Sequence, residues 1–433
     1  MSINESDRQV RLPQEKNSLS IGISLLLLPR SGIVGGVETY IRNVLDAINK
    51  YDRTNQYFLF CLSTNVSMFR YSNPNIHVIT ISERNPVDRF RRYMQYHFEM
   101  DLGLTLFDRF VMKIPLDVIL YPSSVIFPMP KRNVPIVLTV ADIQHEYFPE
   151  YFSRKELRTR KRHTLFSLKR ADRIIAVSAY TKETLMEKFD IPEKRVDVVH
   201  ETFNDQFVRE ASAADLNSVR MRYQLPAKFL LYPSATWPHK NHRRLLEALM
   251  WIQRNYGSSP PVVLAGIATP GHAKVMSAVT ELHLENSVRW LGYLQYEELP
   301  ALFKLATALV FPSLFEGFGI PVVEAMASGL PVACSRSSSL PEIAGDAACY
   351  FDPLNIEDIG KTIYSIWNNT QMQEDLRRRG YERIQLFRPE DIVSRNIEVF
   401  RKAVAGNAAG IASDSGGHMA GNGQSHSGSE TTG

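Results

Sequence analysis

Cysteine is scarce in this chain: three residues in 433, Cys61, Cys334 and Cys349, at no spacing that suits a metal. Three thiols cannot all pair, so no disulfide framework is expected, and a reducing compartment suits the sequence. Excess charge is scarce too. With 50 basic and 46 acidic side chains the formal net charge is +4, so basic character is local at most and no nucleic-acid partner is expected. Long apolar runs are missing, since the longest, 21–28, is far too short to span a bilayer. The leading residues 1–17 are polar and charged, with no apolar signal-peptide core. His-x-Glu-x-x-His, Cys-x-x-Cys and Walker-type motifs are absent, which leaves metal-dependent and ATP-hydrolysing functions without support. The expectation is a soluble, cytoplasmic protein.

What is present is an ordinary globular composition, 44% hydrophobic and 22% charged, in a chain long enough for two domains with large cores. Apolar runs at 21–28, 57–61, 76–81, 117–121, 135–140, 173–177 and 196–199 read as buried strands, several of them separated by helical patterns. A second series follows at 229–232, 262–265, 288–291, 308–311, 331–334 and 348–351. Strand–helix alternation of this kind predicts α/β architecture with parallel sheets. The expected organisation is a disordered leader (1–17), a first domain (18–205), a linker (206–226), a second domain (227–385), a final helix (386–405) and a disordered Gly/Ser-rich tail (406–433).

The rest of the chain is organised around the stretch 311–332. An apolar strand ends at Phe311, and Glu316-Gly317-Phe318-Gly319 forms a loop. Pro321 suits the first helical position, and Gly329 followed by Pro331 marks the helix end. Glu316 therefore sits beyond a strand's carboxyl end, where open α/β sheets bind ligands, and Glu324 sits in the first turns of the following helix. The loop and helix start offer amide donors to an anion, and the two carboxylates offer acceptors to sugar hydroxyls. Near the amino end, Gly35-Gly36-Val37-Glu38 opens a helix after the first strand. These glycines suit either a phosphate-binding turn or close helix–strand packing.

This pattern resembles the E-x7-E motif of retaining glycosyltransferase family 4. The resemblance extends to Leu291-Gly292-Tyr293, to Glu297-Glu298-Leu299-Pro300 and to Ser338-Ser339-Leu340-Pro341-Glu342, and covers roughly residues 20–400. It implies the GT-B fold, two doubly wound Rossmann-like domains facing a cleft, with the final helix crossing back to the first. It further implies that Glu316, with Gly317, Phe318 and Gly319, holds the hydroxyls of a donor sugar. Glu324 would accept from the ribose, Gly292 and Tyr293 would lie beside the base, and the Gly35-Gly36 loop would face the cleft. Lys240, in Trp237-Pro238-His239-Lys240-Asn241-His242, stands where members carry the lysine that neutralises the departing diphosphate without a metal.

Two positions depart from the family. Ala235 stands where many members have arginine, and Ala141 precedes Asp142 where a histidine is common. His145 could stand in for that histidine or be structural, and Asp142 could take an acceptor hydroxyl or fix its loop. The segments around Lys240 and His145 look most like bacterial mannosyltransferase-type members of polysaccharide pathways. The implied reaction moves a hexose, with mannose from GDP-mannose the leading donor, to a glycan or lipid-linked saccharide with retention and no cofactor. Two alternatives are a GT-B nucleotide-sugar epimerase and a non-catalytic nucleotide-sugar-binding subunit, the latter suggested by Ala141 and Ala235. A helical insert at 86–113 mixes aromatics with Arg89, Arg91 and Arg92, and a second basic run spans 155–170. These are either ordinary surface or a peripheral contact with the inner face of the plasma membrane.

Overall fold

The structure is a computed structural model that describes residues 18–28, 35–98, 100–131 and 133–416, with backbone alone for 408–416. The leader 1–17, the first turn 29–34 and the end of the tail lie outside the described residues. In the first half the order is β1 (Ser20–Ser24), α1 (Gly35–Tyr51), β2 (Gln56–Leu62), β3 (Ile76–Ile81), α2 (Pro86–Phe98), α3 (Leu106–Lys113), β4 (Val118–Tyr121) and β5 (Ile136–Val140). It continues with α4 (Gln144–Tyr147), α5 (Arg154–Arg170), β6 (Arg173–Ala176), α6 (Ala179–Phe189) and β7 (Val196–Val198). The second half holds α7 (Ala213–Arg222), β8 (Leu230–Pro233), α8 (His242–Tyr256), β9 (Val262–Ala265), α9 (His272–Glu281), β10 (Val288–Trp290) and α10 (Leu299–Leu305). Then follow β11 (Ala308–Phe311), α11 (Ile320–Ala327), β12 (Val332–Ser335), α12 (Leu340–Ala344), β13 (Ala348–Phe351), α13 (Ile356–Asn368), α14 (Thr370–Arg383) and α15 (Pro389–Gly416).

Among the described residues the strands form two sheets, ordered β3-β2-β1-β4-β5-β6-β7 and β10-β9-β8-β11-β12-β13. Their pairings are parallel. Central strands such as β5 and β11 are buried along their whole length, as sheets covered on both faces require. The strand order reverses at β1 in one sheet and at β8 in the other, so each half has a crevice at its carboxyl edge. Helices α1 and α15 cover one face of the first sheet, with Tyr40, Ile41, Leu45, Val399 and Phe400 in the core. Phe107, Val111, Leu168 and Leu185 cover the other face. These are the two doubly wound halves that the resemblance implies.

Three stretches differ from the sequence reading. The first strand stops at Ser24 because the next carbonyls turn away to a side chain: Asn65 Nδ2 donates to Leu25 O at 3.0 Å and Leu28 O at 2.8 Å. The residues read as a linker contain a helix, α7, capped by Ser212 and docked on α10, with Arg222 bonded to Glu298. The final helix runs to Gly416, past the point where the composition reads as tail. Low apolar content does not stop a helix that its first turns have already nucleated.

Candidate active site

The loop between β11 and α11 is held by hydroxyls that follow β12. Ser338 Oγ accepts from Glu316 N at 2.9 Å, and Ser339 Oγ donates to the carbonyls of Glu316 and Phe318 at 3.0 and 2.9 Å. Gly319 has φ +105°, a conformation that glycine adopts without steric cost, and it leads into α11 with no side-chain cap. Pro321 has no N–H and Val322 N donates to Gly319 O at 2.9 Å, which leaves the Ile320 amide at the start of α11 for a ligand. Glu316 Oε1 lies 2.6 Å from Lys240 Nζ, and both side chains are largely buried. Lys240 is carried by a turn that the same loop secures. Leu314 N donates to His239 O at 2.8 Å, and Asn241 Nδ2 donates to Pro312 O and Pro353 O at 3.0 and 2.8 Å. Burial pushes the His239 and His242 imidazoles down to about 2 and about 3, so both are neutral beside Lys240.

Glu324 is 4% exposed, and burial pushes its carboxyl up to about 8, opposed by the Tyr296 hydroxyl 3.4 Å away. That hydroxyl also reaches Asn43 Oδ1 of α1 at 3.0 Å, and Asn43 Nδ2 donates to Thr202 O at 2.7 Å. A chain of polar contacts therefore runs from the second half into the first.

The two carboxyl edges meet along a closed seam. A Cβ built on Gly317 would lie 1.7 Å from Ala141 O, so only a glycine lets the two backbones approach this closely. Gly317 was expected among the donor-binding residues; its missing side chain and its carbonyl serve the seam. Ser178 Oγ and Thr181 Oγ1, at the start of α6, donate to Gly317 O at 2.6 and 3.2 Å. Glu342 of α12 accepts from Ala179 N and Tyr180 N at 2.8 and 3.0 Å, capping α6 from the opposite domain. His200 Nε2 lies 2.9 Å from Glu342 Oε1, and Thr202 Oγ1 donates to Phe387 O at 2.7 Å.

The remaining expected residues fall into two groups. Gly35 and Gly36 begin α1, and a Cβ on either would meet nothing within 4 Å among the described residues. Gly292 has φ +77° and accepts from Gly266 N at 2.7 Å, while Tyr293 is exposed and feels the charges of Glu38 and Arg42 across the seam. Asp142 Oδ1 accepts from Gln144 N at 3.0 Å, which fixes its own loop. His145 is not brought to the seam. It is buried against α5, 3.5 Å from Thr164 Oγ1 and 3.6 Å from Glu146, and burial lowers its pKa. The expectation that it replaces the histidine missing at position 141 does not fit this geometry, because α4 turns its side chain into the first core. Among the described residues no three His, Cys, Asp or Glu side chains are grouped so as to hold a metal ion.

Residues 34–207 match the family model described as Glycosyltransferase Family 4, and 222–383 match Glycosyl transferases group 1. The chain is also 30% identical to O-antigen chain mannosyltransferase B of Escherichia coli, over 64% of this chain and 72% of that protein. The chain belongs to glycosyltransferase family 4. A second relative, the serotype-specific mannosyltransferase WbdA of Escherichia coli, is 32% identical over 46% of this chain, which spans 25% of that longer protein. Two solved structures share the fold. Sucrose-phosphate synthase from Thermosynechococcus elongatus superposes with TM-score 0.70 at 19% identity, over 89% of this chain and 99% of that one. HepE from Anabaena, in complex with UDP and glucose, superposes with TM-score 0.66 at 19% identity, over 88% and 98%. Like them, this glycosyltransferase has the GT-B arrangement of two parallel-sheet α/β domains. Its sequence did not reveal Ser178 or Glu201, nor the reach of Glu342 across the seam. The only local signal was the position of Ser178 and Glu201 just after strands, at the edge where such sheets bind ligands.

Proposed function

We propose that this glycosyltransferase is a retaining hexosyltransferase that moves mannose from GDP-mannose to a growing surface polysaccharide or its lipid-linked precursor. The observation that carries the reading is the Lys240–Glu316 pair at 2.6 Å, beside the uncapped start of α11 and buried Glu324. The mannosyl assignment rests on the names of the relatives. In this reading Lys240 and the Ile320 amide at the start of α11 take the charge that develops on the diphosphate as the C1–O bond breaks. Glu316 and the Phe318 and Gly319 amides hold the sugar hydroxyls, Glu324 accepts from the ribose, and Gly292 and Tyr293 flank the base. The acceptor hydroxyl forms its bond to C1 on the face the diphosphate leaves, and its proton passes to the departing phosphate oxygen. No metal is required, because a fixed cation and a helix-start amide already face the leaving group.

Calorimetry with GDP, UDP, ADP, dTDP and GDP-mannose, on wild type and Glu324→Ala, tests the reading. Selective binding of GDP and GDP-mannose, lost in the variant, is expected; binding of none of these nucleotides by wild type would overturn it. The anomeric configuration of the product, read by NMR, tests retention.

A peripheral association with anionic membrane at the cytoplasmic face is part of the same proposal. Phe90, Tyr93, Phe98, Met100 and Met112 of the α2–α3 region are exposed, and Arg162 of α5 donates to Tyr96 O of α2, which brings α5's exposed basic face alongside. Arg92 does not contribute, being buried against Asp88 at 2.9 Å, and Arg91 is tied to Leu104 O at 2.7 Å. Among the described residues no helix is long and apolar enough to cross a membrane.

A further inference from the structure

Glu201 follows β7 at the carboxyl edge of the first sheet and is 5% exposed. Buried polar groups are nearly always hydrogen-bonded, and leaving one unpaired is costly. Yet its carboxyl group has no hydrogen-bond or ion-pair partner among the described residues. The groups that face it are Glu316 and Glu324 from the second half, with Asp142 and Tyr40 from the first. Lys240 is paired with Glu316 and is not among the groups that act on Glu201.

The backbone on either side of Glu201 is fixed. His200 is bonded to Glu342, Thr202 Oγ1 donates to Phe387 O, and Thr202 O accepts from Asn43. The backbone that carries Glu201 cannot leave the seam without breaking contacts that join the two halves. No three acidic groups here converge as metal ligands do, and no free cation faces Glu201 among the described residues. A phosphate would find no unpaired cation among these groups. A sugar, with hydroxyls that both donate and accept, fits them.

We propose that Glu201 touches the transferred sugar, binding a donor-sugar hydroxyl from the first half and making the seam selective for sugar-loaded over free nucleotide. The inference rests on the proposed donor site and adds to it a contact from the opposite domain. Burial, with the charges of Glu316, Asp142 and Glu324, holds the Glu201 carboxyl well above the usual carboxylate range. A protonated carboxyl both donates and accepts, so it can satisfy one hydroxyl completely.

The test is calorimetry with GDP and GDP-mannose on wild type, Glu201→Ala and Glu201→Gln, with melting curves to check folding. Loss of one buried hydrogen bond, about 1.4 kcal/mol, corresponds to about tenfold. Glu201→Ala is expected to weaken GDP-mannose by about tenfold and GDP by less than about twofold, with Glu201→Gln restoring most of the difference. If Glu201→Ala does not fold, Glu201→Asp, which withdraws the carboxyl by one methylene, carries the same expectation. Equal weakening of both ligands, or no change in either, overturns the role of Glu201 while the donor site stands. Wild type that binds neither ligand overturns the donor site and this inference together.

Discussion

In the second half, the expected donor-site side chains find partners in their own domain: Lys240 with Glu316, Glu324 with Tyr296, and the Glu316 loop with Ser338 and Ser339, while Glu342 reaches across. In the first half, Glu201 has no partner among the described residues, Asp142 uses an oxygen on its own loop, and Ser178 and Ala179 bond across the seam. One side is organised before the domains meet; the other is completed by their meeting. Substitutions at the side chains paired within the second half should therefore reduce the chemistry with the seam intact, and those at residues that meet across the seam, from either half, should act through closure or through contacts that only closure makes.

The largest expected effect is at Lys240. Lys240→Ala removes the cation paired with Glu316 and should lower kcat by about 100-fold or more, with folding retained, in steady-state transfer assays. A change confined to KM would mean that the second half does not hold the chemistry. Next comes Gly317→Ala, whose methyl would collide with Ala141 O. Because the clash lies between domains and not in either core, we expect kcat/KM to fall about tenfold or more while the melting temperature shifts little. Small-angle scattering should report a more open molecule.

Glu342→Ala should weaken closure by about 1–2 kcal/mol through loss of the charge-assisted cap on α6. Burial pushes the Glu342 carboxyl up, but hydrogen bonds from His200, Ala179 and Tyr180 more than offset this and leave its pKa lowered. A carboxyl depressed in the closed form favours closure above its open-state pKa, and the contribution fades as pH falls through the depressed value. Wild type should therefore open on acidification, as read by scattering, and the variant should lose that part of the pH dependence.

The Glu324 carboxyl is raised to about 8, so the sign reverses. Folding holds its proton more tightly, and its contribution to stability declines as pH rises from the ordinary carboxyl range through about 8. Glu324→Gln should consequently melt higher than wild type at pH 8.5 and close to it at pH 5, by scanning calorimetry. The smallest effect on stability is expected at exposed Phe90, where Phe90→Ser should stay within about 0.5 kcal/mol. Its sedimentation with phosphatidylglycerol vesicles should drop, and unchanged sedimentation would leave this face as ordinary surface.

Much of this arrangement was legible in the chain. The apolar runs that became β9 and β11 kept the bounds the pattern assigned, because strands buried on both faces must be apolar throughout. Glu316, Gly319 and Glu324 could be found because a strand, a positive-φ turn and a Pro-started helix follow one another within a few residues. The sequence left His145 open between a site role and a structural one, because which way a one-turn helix points its side chain depends on what it packs against. The docked helix α7 was missed because its weak amphipathic pattern looks like solvated linker until α10 is beside it.

The sequence by itself determined two parallel α/β halves and the local chemistry of the 311–332 stretch, since both follow from periodicity and turn residues over short distances. Only the tertiary structure decided what lies opposite that stretch. Gly317 against Ala141, Glu342 on the start of α6, and Glu201 among Glu316, Glu324 and Asp142 join residues far apart in the chain. Their proximity is set by how the two sheet edges dock, and no local pattern records it.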